Sequence, residues 1–370
     1  MRLPVIFLLI SATSATSAYA QDSFFERNRY TAVTERPQPE FDPVPLRAGG
    51  FDVQPSLGLE AGYRENLFAT EDDTESDAFV QASPSVNAQS TWSRHSLRGR
   101  LEAVSTAYAE NDSENHTDLR ANAEGRLDLG TRTELTGSLI AESLNEPRSA
   151  SARVANAEEP VMYDRTGAGI GVSHEAGRVR VDGTYTFQTL DFDDVGLIGG
   201  GVQDQDFRDY DEQELSSRVS WAVERDWAVF VQGAYVDRSY DQTTPGAVSR
   251  DATGVIARTG VDFELQNLIR GDIGVGYQSF DFDDQAIEDI DGLSVDANAQ
   301  WFVTQLTTVS ASAARTVVDS GIISSPGTVV TRVAAGIDHE LRRNVIIGGE
   351  LGFENRDFQE IDRSDDLISV

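Results

Sequence analysis

The feature that most constrains this chain is a strict alternation of apolar and polar side chains, repeated strand after strand from Phe51 onward. Over residues 118–129, Leu119, Ala121, Ala123, Gly125, Leu127 and Leu129 share one parity; Asp118, Arg120, Asn122, Glu124, Arg126 and Asp128 share the other. Successive strand side chains point to opposite faces, so a period of two yields one apolar and one charged face. At helical spacing the same charges would fall all round the cylinder, so helix is a poor fit. The pattern recurs with Leu97, Gly99, Leu101 and Ala103 against Arg98, Arg100 and Glu102, and with Val179, Val181, Tyr185 and Phe187 against Arg178, Arg180, Asp182 and Thr184. It recurs again with Leu215, Val219, Trp221 and Val223 against Glu214, Arg218 and Glu224, and with Val255, Val261 and Phe263 against Arg258, Asp262 and Glu264.

Any antiparallel sheet with one wet face alternates in this way. Three observations point further, to a membrane barrel. The charged face runs unbroken over about 12–15 residues, longer than the usual soluble strand. The connections alternate in length: tight turns near Ser93-Arg94, Gly130-Thr131, Ala176-Gly177, Arg225-Asp226, Gln266-Asn267, Thr304 and Arg342-Arg343-Asn344 separate long polar loops at 64–76, 145–162, 192–208, 241–251 and 319–326. Short turns on one side and long loops on the other are the outer-membrane arrangement. Aromatic residues also favour strand ends, at Tyr63, Phe68, Trp92, Tyr108, Trp221, Trp227, Tyr235, Tyr240 and Trp301, as rings at a membrane–water boundary would.

The fold expected is therefore all-β: an antiparallel up-and-down transmembrane β-barrel. Strands are expected to begin near 51, 77, 95, 116, 133, 163, 178, 209, 226, 252, 269, 290, 305, 327 and 345, with a sixteenth starting near 365. A bacterial barrel needs an even count, and the chain stops at Leu367-Ile368-Ser369-Val370 without a closing aromatic. The expectation is 16 or 18 strands, with the C-terminus truncated.

Ahead of the barrel (49–370), Met1-Arg2, an apolar run at 3–10 and Ala18-Tyr19-Ala20 make a signal peptide of residues 1–20, cleaved after Ala20. Residues 21–48 hold Pro37, Pro39, Pro43 and Pro45 and read as an extended arm, either a periplasmic extension or a plug folded into the lumen. There is no cysteine, so no lipoprotein anchor follows the apolar run, and no later stretch approaches a transmembrane helix. A formal net charge of −32 excludes nucleic acid as a partner, because phosphate binding needs a basic face. The place expected is the outer membrane of a Gram-negative cell, with lipid and lipopolysaccharide as surroundings.

Tyr63-Arg64-Glu65-Asn66-Leu67-Phe68, Ser76-Asp77, Pro84, and Trp92-Ser93-Arg94-His95 carry a resemblance, as do Asn355-Arg356-Asp357-Phe358 and Asp362-Arg363-Ser364-Asp365-Asp366. Over residues 51–370 the chain resembles the outer-membrane β-barrel porin family 2 of proteobacteria. The resemblance implies a porin-like channel, with polysaccharide and its export machinery as partners, and brings no catalytic residues with it.

Four histidines, His95, His116, His174 and His339, are scattered along the chain, and no spacing makes a triad or a metal set, so neither an enzyme nor a cofactor is expected. Acidic clusters at 71–73, 191–194, 204–206 and 281–284 offer hard oxygen ligands, but none matches an EF-hand loop, and a solvated anionic rim explains them as well. Gly199-Gly200-Gly201 follows no strand-to-helix step and reads as a loop tip. The pore-lining candidates are the charges of the polar parity: Arg98, Arg100, Glu102, Arg120, Glu124, Arg126, Arg178, Arg180, Asp182, Glu214, Arg218, Arg258, Asp262, Arg332 and Glu350. Facing rows of opposite sign would set a transverse field across a water-filled pore; alternatively the charges pair with one another and stiffen the wall. Two functions stay open: a channel for diffusion or export of polar solutes, and a non-conducting barrel that binds partners through acidic outer loops.

Overall fold

The computed structural model describes residues 31–36, 43–70, 72–154, 156–241, 249–266, 268–322, 325–343 and 345–369. The signal-peptide and cleavage expectations, at residues 1–20, lie outside them. Fifteen long strands dominate: β2 Phe51–Arg64, β3 Asp77–Ser90, β4 Ser96–Tyr108, β5 His116–Leu129, β6 Thr133–Asn145, β7 Met162–Ala176, β8 Val179–Phe192, β11 Tyr210–Ala222, β12 Trp227–Tyr240, β13 Ala252–Leu265, β14 Ile269–Phe282, β15 Ile290–Thr304, β16 Thr307–Val318, β17 Thr328–Arg342 and β18 Val345–Phe358. They are joined by β1 (Leu46–Ala48) at the start and β19 (Arg363–Ser369) at the end, while β9 (Val195–Gly196) and β10 (Val202–Gln203) form a small separate ribbon in one loop. None of these sixteen major strands, β2–β8 and β11–β19, starts more than two residues from its expected position.

Each strand pairs antiparallel with the next, with β8 passing directly to β11 across the loop ribbon. This is an up-and-down barrel sheet. β19 pairs with residues 352–358 of β18, while residues 345–351 pair with β17. Within β3, the ladder to β4 skips Ser83 and Pro84, since proline brings no backbone donor.

Burial separates the two parities as the alternation requires. Leu57, Leu101, Leu119, Leu139, Ile170, Leu215, Val255, Ile273 and Leu351 all stand on the outward face and are exposed. A soluble protein would cover such a continuous apolar belt; a bilayer solvates it. All four tryptophans, Trp92, Trp221, Trp227 and Trp301, lie outward at the short-turn end and are 40–51% exposed. Tyr63 and Tyr235 are also outward, nearer the long-loop end.

Two of the ring positions depart from the expected girdle. Tyr108 and Tyr240 carry the parity of Arg100 and Arg238 and lie buried on the inward face. Phe68 sits in the loop after β2, 5.7 Å from the Arg148 guanidinium.

Candidate functional site: the barrel interior and its two mouths

The inward face carries the charges, and most of them bond along or between neighbouring strands. Arg100 bonds Glu102 at 2.7 Å and Asn87 at 3.3 Å. Arg120 reaches Asp118 at 3.3 Å, Arg126 lies 3.2 Å from Asp128, and Arg180 donates to Asp182 at 2.9 Å. Arg258 donates to Ser294 at 2.8 Å, and Arg332 to Glu354 at 2.5 Å. Arg98 stands across from Glu124, Glu214 across from Val236 and Thr186, and Glu350 across from Gly336. Arg178 departs from the set: it occupies the tight turn before β8 and donates to the Val223 carbonyl at 3.5 Å, with no place on a strand face.

The lateral pairing has a direct physical cause. Neighbouring strands lie about 5 Å apart, well within the reach of Arg and Glu side chains, whereas a partner across a wide lumen is not. The arrangement therefore favours a wall of paired charges over two opposed rows.

The longest reach is that of Arg218 on β11. Its guanidinium lies 3.5 Å from the Phe230 ring centroid on β12 and bonds Asp262 on β13, with Asp272 of β14 at 3.8 Å. Room for Phe230 comes from Gly274 on β14, where a Cβ would stand 3.1 Å from the ring. Phe280 likewise covers Gly254, where a Cβ would clash with three atoms of the ring. Phe280 joins Val236, Ile290, Val317 and Val329 in an apolar cluster at the long-loop end. One side of the interior, over β11–β15, is thus filled. On the other side, inward Arg98 of β4 and Glu124 and Arg126 of β5 are open to solvent, while at residues 54–59 of β2 and 345–351 of β18 both faces are exposed.

The long loops fold inward to make a cap. Arg148 (9% exposed) grips Glu114 (2% exposed) with bonds of 3.0 and 2.5 Å and also donates to the Ala157 carbonyl. Arg208 grips Glu146 with bonds of 3.2 and 2.5 Å while its guanidinium lies 3.9 Å from the Phe192 ring centroid. Val154, Ala157, Val161, Phe192 and Val195 pack beneath these pairs. Arg153 donates to the carbonyls of Phe68 and Ala69, and Arg356 and Arg363 both donate to Ser151, so the 146–161 loop touches elements from both ends of the sheet. A third buried arginine, Arg250, holds Asp319 at 3.3 Å and the Phe207 carbonyl at 2.6 Å. These loop arginines went unnoticed in the sequence; their signal is that they are isolated cations in otherwise acidic loops.

Asp209 sits under the cap, where its carboxylate accepts the Phe192 amide at 2.7 Å. Burial, with Asp191, Asp206 and Asp241 nearby, raises its pKa to about 6 despite that bond. Burial, reinforced by Asp164, Asp191 and Asp194, raises Asp193 as well. In the same loop, Asp194, Asp204 and Asp206 bring carboxylate oxygens within 4.8 Å of one another.

The histidines stay apart. His95 accepts the Asp128 amide at 3.1 Å, while His174 bonds Thr133 at 2.8 Å and His339 bonds Thr307 at 2.9 Å, all beside short turns. His116 lies at the other end, bonded to the Glu114 carbonyl at 2.8 Å.

The sheet is apolar outside and charged inside, with long loops at one end only. The family described as "Putative beta-barrel porin 2" matches residues 38–370. The chain belongs to this family. As a member of the porin 2 family it is an outer-membrane β-barrel. No curated protein matches the chain. Among solved structures it is similar to the ferric enterobactin receptor PfeA of Pseudomonas aeruginosa, with 10% identity, a TM-score of 0.46, and coverage of 83% of this chain and 54% of that one. It is also similar to the FrpB iron transporter of Neisseria meningitidis, at 10% identity and a TM-score of 0.46, covering 84% of this chain and 63% of that one. The siderophore receptor PiuA of Acinetobacter baumannii gives 10% identity, a TM-score of 0.41, and 84% and 60% coverage. The chain spans a little over half the length of these receptors.

Proposed function

We propose that this porin 2 family member is an outer-membrane channel for polar solutes. It is exported on residues 1–20 and processed after Ala20, and lipid and lipopolysaccharide surround it. The observation that carries the reading is the solvent-open strip of the inward face on β4 and β5: Arg98, Glu124 and Arg126, all of them charged. A wet, charged strip inside an apolar belt solvates ions and hydroxylated solutes on their way through. Arg98 and Arg126 oppose Glu124 in sign, so the strip suits neutral or zwitterionic solutes better than either ion class. Exopolysaccharide is the solute class that the family resemblance adds, in the direction of export.

Purified, folded protein in planar bilayers tests this reading. Stepwise conductance is expected, with Arg98→Glu and Arg126→Glu together raising cation over anion permeability. Absence of steps across salt conditions, with insertion verified, would contradict it.

One observation favours the alternative, a non-conducting barrel that binds partners through its acidic outer loops: the cap of residues 146–161 crosses from β18 and β19 to the loop after β2. If cutting that loop by protease leaves an inserted barrel silent, the alternative is preferred.

A further inference from the structure

Residues 31–36 lie at the opposite mouth from the cap. They form a compact turn, closed by the Glu35 amide on the Ala32 carbonyl at 3.0 Å. Ala32 and Val33 are 4% and 1% exposed, although they precede the barrel and share no strand with it. The Val33 amide donates to Thr308 Oγ1 on β16 at 3.2 Å. Arg36 bonds Glu340 on β17 at 2.9 Å and the Gln305 carbonyl in the turn between β15 and β16. Glu35 lies 3.7 Å from Arg270 on β14, whose guanidinium in turn covers the Phe302 ring.

Thr308, Glu340, Arg270 and Phe302 share the inward parity of their strands and all stand near the short turns. The segment is therefore seated inside the short-turn mouth, against the β14–β17 wall. On the wall away from it, Arg98 and Arg126 remain open.

We propose that residues 31–36 are a displaceable plug that narrows the short-turn mouth of the channel, with Arg36–Glu340 as its latch. The proposal rests on the channel reading. Displacement is cheap in structural terms, because among the described residues no strand ladder joins 31–36 to the wall. Its anchors are one amide-to-hydroxyl bond, the buried Ala32 and Val33, a latch arginine whose side chain is 33% exposed and which also reaches the Gln305 carbonyl, and a long Glu35–Arg270 pair. A partly exposed ion pair of this kind weakens with ionic strength, so salt and competing cationic or anionic peptides act on it where they leave the barrel ladders intact.

The chain has no cysteine, so single thiols report cleanly. Val33→Cys is compared with Val44→Cys, whose parent residue lies outside the strands and is 90% exposed, in the full-length protein in lipid vesicles permeable to the reagent. Labelling of Val33→Cys is expected to be about tenfold slower, as for a segment that must open before it reacts. Adding Arg36→Ala, or Glu340→Gln from the other side of the latch, should bring the two rates together and enlarge the conductance step. Equal labelling rates in the otherwise native chain would overturn the seat. Faster labelling in the latch variants with an unchanged conductance step would overturn the narrowing. Silence in every inserted variant would instead sink the channel reading, and the labelling rates would then decide the seat alone.

Discussion

Arg148 and Glu114 meet in a two-pronged ion pair, at 3.0 and 2.5 Å, with both side chains nearly excluded from solvent. The pair joins the short helical turn before β5 to the loop after β6 and so pins the cap to the wall. Removing one partner strands a buried charge. Arg148→Ala should cost the cap about 3–5 kcal/mol, while Arg148→Ala with Glu114→Gln costs less than the single change. Limited proteolysis within residues 146–161 measures it: rapid nicking of the single variant and slower nicking of the double are expected.

Asp209 ties the cap to pH. Its pKa is raised in the folded protein to about 6 from 3.8, so the folded form takes up a proton before the unfolded one does. Native protein then binds more protons between these values, and cap stability rises as pH falls through that window. Asp193 shifts in the same direction. Hydrogen exchange of the Phe192 amide should slow as pH falls from about 7 to about 5, after correction for intrinsic chemistry, and Asp209→Asn should flatten that trend.

Phe280 needs Gly254 beneath it. A Cβ at this position would clash with the ring, so Gly254→Val overpacks the wall, at about 1–3 kcal/mol. Urea unfolding in detergent micelles should show the loss, and Phe280→Leu in the same chain should recover part of it.

The two faces of β4 should respond oppositely to charge. Leu101 is outward and 61% exposed, so Leu101→Arg places a cation in the lipid belt at about 2–4 kcal/mol. Its inward neighbour Arg100 tolerates Arg100→Gln with little loss. Yield of heat-modifiable, folded barrel on gels separates the two.

Much of this architecture was legible in the sequence, because a wall one residue thick writes its two environments directly into a period of two. The strand starts follow from it, and so do the inward positions of Arg98, Arg120, Arg218 and Asp262. The same parity, applied to Tyr108 and Tyr240, would have turned those rings inward; strand-end position alone misplaced them. Arg178 shows the limit of parity at a strand's first residue, where a tight turn takes over. The cap escaped because loops have no period, and contacts such as Arg356 with Ser151 join residues far apart in the chain. The seat of Val33 on Thr308 was hidden for the same reason.

The central claim is that the charged face of this sheet bounds water and the apolar face bounds lipid. Single cysteines from Leu97 to Ala103 along β4, reacted in vesicles with a charged thiol reagent small enough to enter the barrel, test it most directly. Labelling at 98, 100 and 102, with protection at 97, 99, 101 and 103, is the predicted result. Labelling without that alternation, or its inverse, would contradict the account.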